Sequence, residues 1–188
     1  MVRDAEETRR RLLKAAIAEF SAYGIAGARI DRIAATAPAN KALIYAYFGN
    51  KEQLFDAAYD LLTNRTVDEV PIDVDDLPAY AGRLFDRFWQ SPEVVRMSAW
   101  HRLERGEEQA IPALVLQAHR DKIALFTQAQ EDGKIPSHIP AAGLLSLIMV
   151  IATVWTDANP DFASVKFVTT KKARRLVVTE AVRQLVRP

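Results

Sequence analysis

The residues best suited to recognition chemistry lie between Arg29 and Lys51, in the run R-I-D-R-I-A-A-T-A-P-A-N-K-A-L-I-Y-A-Y-F-G-N-K. Tyr45, Tyr47 and Lys51 offer phenolic and ammonium donors that suit phosphate oxygens, and Arg29 adds a cation just ahead of them. Ala42, Leu43 and Ala46 offer short apolar surfaces of the kind that pack on thymine methyls. Asn40 and Lys41 are the polar groups able to address base edges, and an ammonium at Lys41 suits guanine O6 and N7. Such chemistry reads a DNA duplex only if these groups project from one side of a short helix whose other side is held.

The spacing meets that requirement. Ile44 and Phe48 stand four residues apart and share one helical side, which leaves Ala42, Leu43 and Ala46 outward, with Tyr45 and Tyr47 on the flanks. Apolar and aromatic residues exposed on so short a helix call for a partner. Lys51 falls at a helix N-terminus, where free backbone N–H groups favour an anion.

The elements that must position this helix follow from apolar periodicity. Leu12, Leu13, Ala16, Ile17 and Phe20 predict a first helix from about Ala5 to Tyr23, stopped by Gly24. Ile30, Ile33, Ala34 and Ala37 predict a short second helix, ending near Pro38 because proline disfavours helical geometry in the residue before it. Asn40 is suited to cap the reading helix and Gly49 to end it. Asn50, with Gln53 three residues on, opens a fourth helix that fades near Thr66. Two short helices joined by a tight turn form a helix-turn-helix layout. Residues 1–49 thus read as a DNA-binding domain, 50–66 as a linking helix and 67–188 as a second domain.

That second domain opens with an acidic, proline-bearing loop from Val67 to Asp76. Helices are then predicted from Leu77 through Phe88, from Ser91 to Gly106, from Ile111 to Asp132, from Pro140 to Asp157 and from Asp161 to Arg187. No strand alternation or repeat is visible, so the fold class is all-α. The longest apolar run, Ala141 to Trp155, falls short of the roughly 20 residues a membrane span needs and reads as a buried helix.

Composition narrows the function classes. The 188 residues allow one sizeable core with a smaller satellite. Cysteine is absent, which removes disulfides, thiol nucleophiles and thiolate metal sites and suits a reducing cytoplasm. Met1 to Glu7 is polar, without the apolar stretch of a signal peptide. The net charge of +1 says little, but the chain carries 10 basic against 8 acidic residues through Arg65 and 15 against 16 beyond it, a tilt that suits DNA binding by the front third. An enzyme would need a Gly-rich phosphate loop, a nucleophile elbow or clustered carboxylates, and none is present. His101, His119 and His138 lie in different elements and lack a partner at metal-ligand spacing, so no metal or cofactor is expected.

The blocks T-R-R-R-L-L-K-A-A-I-A-E-F-S-A-Y-G, I-D-R-I-A-A and N-K-A-L-I-Y-A-Y-F-G-N-K-E-Q-L, in that order, resemble the DNA-binding domain of the tetracycline-repressor family over Arg9 to Leu62. The resemblance implies a repressor that binds an inverted-repeat operator as a homodimer and leaves it when a small molecule binds the helical domain. The family usually has Gly where Pro38 stands, Ser or Thr near Ala28 and Thr at Leu43; Pro38 stiffens the turn and Leu43 withholds a hydroxyl from DNA.

Phe85, Phe88, Trp89, Met97, Trp100, His101, Phe126 and Trp155 are candidates to line a pocket for a small, largely apolar effector, with ordinary core packing as the alternative. The helix around Leu144 to Val154 is apolar on nearly every side, and the last helix carries a stripe of Val177, Val178, Ala181, Val182, Leu185 and Val186. Leu147, Ile151, Val178, Val182 and Leu185 are therefore the candidate dimer contacts in an isologous four-helix interface. A fourth helix that begins against DNA and ends in the effector domain would couple the two. A ligand-dependent activator, an architectural DNA-binding protein and a helical enzyme are the alternatives.

Overall fold

The computed structural model describes residues 2–105, 113–156, 159 and 170–187, with side chains from Asp4 onward. Among the described residues there are nine α-helices and no strand: α1 (Val2–Gly27), α2 (Ile30–Thr36), α3 (Lys41–Phe48), α4 (Lys51–Glu69), α5 (Leu77–Gln90), α6 (Pro92–Arg105), α7 (Ala113–Glu131), α8 (Ala141–Thr153) and α9 (Lys171–Leu185).

Local chemistry explains most of the boundaries. α1 breaks at Gly24, whose φ of 70° and ψ of −172° are non-helical. Only glycine fits there, since a Cβ would meet Glu104 Oε1 at 2.3 Å and the Trp100 ring at 2.8 Å. Asp76 caps α5 by accepting the Ala79 N–H at 2.9 Å, with Pro78 in the first turn. α4 continues to Glu69, beyond the expected fade near Thr66. α8 ends at Thr153, short of the predicted Asp157, which lies outside the described residues, as do Gly106 and Ile111. α9 begins at Lys171 because Thr170 is extended and accepts the Ala173 N–H at 3.1 Å; residues 161–169 of the predicted last helix are outside the described set.

The chain divides into two compact units, Met1–Asn64 with Arg96–Pro112, and Arg65–Val95 with Ala113–Pro188. Sequence reading drew the line at residues 49 and 67, whereas most of α6 belongs with the first unit. Three of its side chains account for this. The Trp100 indole donates to the Ser21 carbonyl at 3.2 Å, and the Glu104 carboxylate accepts the Ile25 and Ala26 N–H groups at 2.6 and 2.9 Å. Arg105 ion-pairs with Asp56 and donates to the Glu52 carbonyl at 3.2 Å. The two N–H donors that Gly24 frees from α1 are thus satisfied by a residue 79 and 78 positions away along the chain, a pairing with no local signature.

The first unit's core includes Leu12, Ala16, Phe20, Ile33, Ile44, Leu54 and Phe55, and Phe20 meets Phe55 edge-on at 5.2 Å. In the second unit, α5 contributes Leu77, Tyr80, Ala81, Leu84, Phe85 and Phe88 to a core completed by Phe126, Leu144, Leu145, Ile148, Val178 and Val182. α5 comes close to α9 at Gly82, where a Cβ would meet Arg175 Nη2 at 2.8 Å and Thr179 Cγ2 at 3.0 Å. Asp86 on α5 joins Arg175 at 2.7 Å and Lys171 at 3.1 Å, which fixes α9 along the same face. No helix among the described residues is long and apolar enough to cross a membrane.

The turn between α2 and α3 carries strain. Ala39 N–H donates to the Ala34 carbonyl at 3.0 Å, the long bond of a Schellman motif, which places Pro38 at the position where glycine is favoured. Pro38 has φ of 24°, far from the value of about −65° that its ring prefers, and proline has no N–H for the motif's second bond. Relief of strain of ~1–3 kcal/mol should outweigh the ~0.4–1 kcal/mol that added unfolded-state freedom costs. Pro38→Gly is therefore expected to raise the thermal unfolding midpoint, and an unchanged or lowered midpoint would show that the turn is not strained.

Candidate nucleic-acid interface

The reading helix α3 is set by its ends. Asn40 is extended and its Oδ1 accepts the Ala42 N–H at 3.0 Å, while Gly49, with φ of 79°, returns its N–H to the Tyr45 carbonyl at 2.8 Å. Asn50 then caps α4 by accepting the Gln53 N–H at 2.8 Å. Capping engages one lone pair of the Asn40 oxygen, which leaves its second lone pair and the amide NH₂ available to a base.

Ile44 and Phe48 are buried, and Lys41, Ala42, Leu43, Tyr45 and Ala46 are exposed, with Tyr47 between the two sides. This is the face that the spacing implied. Phe48 is covered by the Arg9 guanidinium, 5.4 Å from its ring centroid, and by Tyr47 at 6.1 Å. Lys51 Nζ lies 3.4 Å from the Ala26 carbonyl, which holds it at the α4 N-terminus.

Two acidic residues that sequence reasoning passed over organise the basic ones. Asp31, exposed in the first turn of α2, ion-pairs with Lys41 across the turn. Glu19, buried on α1, accepts the Arg29 N–H at 2.8 Å and the Arg32 Nε–H at 2.7 Å. Arg32 also donates to the Gly27 carbonyl at 2.9 Å and covers the Tyr23 ring at 4.3 Å, so its guanidinium braces α2 against α1. Arg29, whose backbone alone is held, keeps an exposed side chain. The available signal was Glu19 itself, a charge beside Phe20 on the apolar side of α1.

Burial would raise the Glu19 pKa, but the Arg32 guanidinium and the Arg29 N–H outweigh it and hold the carboxyl below its ordinary value. A carboxylate lowered in the folded state contributes stability that is present above its unfolded pKa of about 4.3 and is lost as pH falls through the folded value. Glu19→Gln is expected to cost ~1.5–3 kcal/mol at neutral pH and to flatten the acid limb of stability against pH. Urea denaturation across pH measures both, and an unaltered limb would remove Glu19 from this role.

The aromatic residues expected to share a pocket are divided between the units. Phe85, Phe88 and Phe126 are buried in the core of the second, where Trp89 and Trp155 flank the buried Arg174 guanidinium at 5.6 and 5.2 Å. Met97, Trp100 and His101 belong instead to the first unit, for the reasons given for α6. The dimer candidates also need correction. Val178 and Val182 are fully buried against their own chain, whereas Ile151 and Leu185 are half-buried and keep part of their surface, and Leu147 is exposed at 42 %. Val177, the first member of the α9 stripe, faces outward at 44 % exposure, as do Leu176 just before it and Val150 of α8, each at 64 %.

A braced short helix with an unpaired apolar and aromatic face, preceded by a tight turn and a second short helix, defines a helix-turn-helix DNA-binding protein. The chain belongs to the tetracycline-repressor (TetR) family of bacterial regulatory proteins: the model described as "Bacterial regulatory proteins, tetR family" matches residues 12–58, and "Tetracyclin repressor-like, C-terminal domain" matches residues 76–184. It is 42 % identical over 160 residues to the HTH-type transcriptional repressor SCO4008 of Streptomyces coelicolor, covering 85 % of this chain and 83 % of that protein. Among solved structures it resembles the S. coelicolor protein SCO4942, with a TM-score of 0.86 and 34 % identity over 96 % of this chain and 99 % of that one. FadR from Bacillus subtilis, solved with stearoyl-CoA, shares the fold at a TM-score of 0.67 and 14 % identity, over 94 % of this chain and 97 % of that one.

Proposed function

We propose that the protein is a cytoplasmic, homodimeric transcriptional repressor that grips an inverted-repeat operator with α3 of each copy and releases it when a small, largely apolar molecule binds. The observation that carries this reading is the outward face of α3, where Ala42, Leu43, Tyr45 and Ala46 stand exposed over the buried Ile44 and Phe48. Family membership and the repressor SCO4008 support the same direction. Release requires that ligand prefer an arrangement that DNA disfavours. α4 and α6 are each continuous across the division between the units, which makes them the natural carriers of that preference. Typical coupling of ~1–3 kcal/mol would weaken operator binding about 5- to 150-fold, and bound operator would weaken ligand binding equally.

The test is a gel shift with the DNA flanking the protein's own gene, repeated across a panel of apolar small molecules. A specific shift reversed by a panel member is the expected result. A complex that every ligand leaves unchanged or strengthens would refute release.

A further inference from the structure

α4 and α6 pass from one compact unit to the other, and within each unit an arginine ties the two helices together. In the first unit Arg105 of α6 pairs with Asp56 of α4 and donates to the Glu52 carbonyl. In the second unit the tie is Arg87, in the last turn of α5. Its Nε donates to Thr66 Oγ1 at 3.4 Å and its Nη1 to Ser91 Oγ at 2.7 Å, and the same Nη1 lies 3.1 Å from Glu69 Oε2. Thr66 and Glu69 belong to the last turn of α4, and Ser91 is the residue between α5 and α6. The Ser91 N–H returns to the Arg87 carbonyl at 2.9 Å, and the Ser91 carbonyl accepts the Val94 N–H at 3.2 Å. Backbone and side chain of Arg87 therefore both hold the start of α6, while its guanidinium holds the end of α4.

The Arg87 side chain is only 11 % exposed. That separates it from a surface ion pair, which solvent screens and which fixes little. The planar guanidinium has five donors in a rigid fork and reaches partners in several directions, which the single ammonium of a lysine does not. The end of α4 is a sensitive place for such a joint. Lys51 to Thr66 spans about 22 Å at the rise of an α-helix, so a tilt of about 10° at the clamped end carries the other end about 4 Å. One base pair is a step of about 3.4 Å. Gly49 and Asn50 alone separate α4 from the reading helix α3, so α3 moves with that end.

We propose that Arg87 is a positioning residue that sets which half-site spacing the repressor accepts, acting through α4 rather than by touching a base. This rests on the homodimeric, inverted-repeat reading above, in which the two copies meet through their second units. The direction in which α4 leaves that unit then fixes the distance between the two α3 helices, and Arg87 fixes that direction by locking the ends of α4 and α6 to α5. Without it the two helix ends shift independently, and several spacings become equally accessible. The bases read within each half-site stay the same, because α3 and its caps lie in the first unit.

Full-length wild type and Arg87→Met are each selected against the same library of randomised duplexes, and the half-site motif and its spacing are read from the two pools. Affinities are then measured by fluorescence anisotropy on duplexes that carry the selected half-sites at the preferred spacing and displaced by one and two base pairs. Wild type is expected to lose ~100-fold or more at a displacement of two, the avidity of its second half-site, whereas Arg87→Met should lose less than ~10-fold and keep the same motif. Arg87→Lys keeps a charge near Glu69 but cannot bridge Thr66 and Ser91 together. It should fall between the two, and it decides the matter if Arg87→Met does not fold. A merely structural role for Arg87 predicts equal loss at every spacing with wild-type discrimination retained, and that result overturns the proposal, as does an altered motif. The underlying reading fails differently: a wild type with no preferred spacing sinks the inverted-repeat dimer and this proposal with it, whereas a sharp spacing in both proteins sinks only the role of Arg87.

Discussion

Glutamate at both Leu176 and Val177 is expected to yield a folded, helical monomer that has lost operator binding. These residues on α9, and Leu147 and Val150 on α8, are exposed apolar side chains outside the core cluster of the second unit. If a symmetry mate covers these residues in an isologous four-helix interface, each introduced charge would occur twice near the two-fold axis. A monomer engages one half-site at a time and forfeits the avidity of the second, an expected loss of ~10²- to 10⁴-fold in operator affinity. Val178→Glu is the contrasting variant. Val178 has no exposed surface, so the new carboxylate sits unpaired in the core and is expected to cost ~3–5 kcal/mol and unfold the second unit. Size-exclusion chromatography with circular dichroism separates the outcomes. A Leu176→Glu/Val177→Glu protein that stays dimeric moves the interface elsewhere.

Lys41 and Lys51 are expected to fail in different ways. Lys41 sits at the start of α3 beside the exposed face, paired with Asp31, and as a base reader it would exchange that carboxylate for guanine O6 and N7 on binding. Lys41→Ala should cost ~1–3 kcal/mol on the preferred operator and relax a single base position, while Lys51→Ala should weaken all sequences alike and make the salt slope shallower by about 1. Asp31→Asn should act in the opposite sense to either, tightening binding to DNA of any sequence, since it removes a negative charge from the approach to phosphate. If the exposed Ala42, Leu43 and Ala46 read methyls and shape, the selected operator should carry thymines under the middle of each α3, in an inverted repeat with half-site centres about 10 base pairs apart or somewhat more. Randomised-site selection decides it: unchanged preferences in Lys41→Ala together with altered ones in Lys51→Ala would reverse reader and anchor.

Much of the first unit was legible in the chain because its determinants are local. The spacing of Ile44 and Phe48, the caps at Asn40 and Asn50 and the stops at Gly24 and Gly49 act over one or two helical turns, and each is where the residues implied. The all-α class followed from the same periodicity. Position in space was different. That Glu104 would cap the end of α1, that Lys41 would meet Asp31, and that His101 would stack on Phe55 depend on which helices come together, and no spacing along one helix encodes that. The dimer stripe shows the limit most clearly. Val177 and Val178 are equally apolar and adjacent in sequence, and periodicity alone assigned both to one surface. Packing of α9 against α5 turned Val178 inward and left Val177 outside, because a helix rotates successive side chains by about 100° and only a neighbouring element decides which of the two directions is interior.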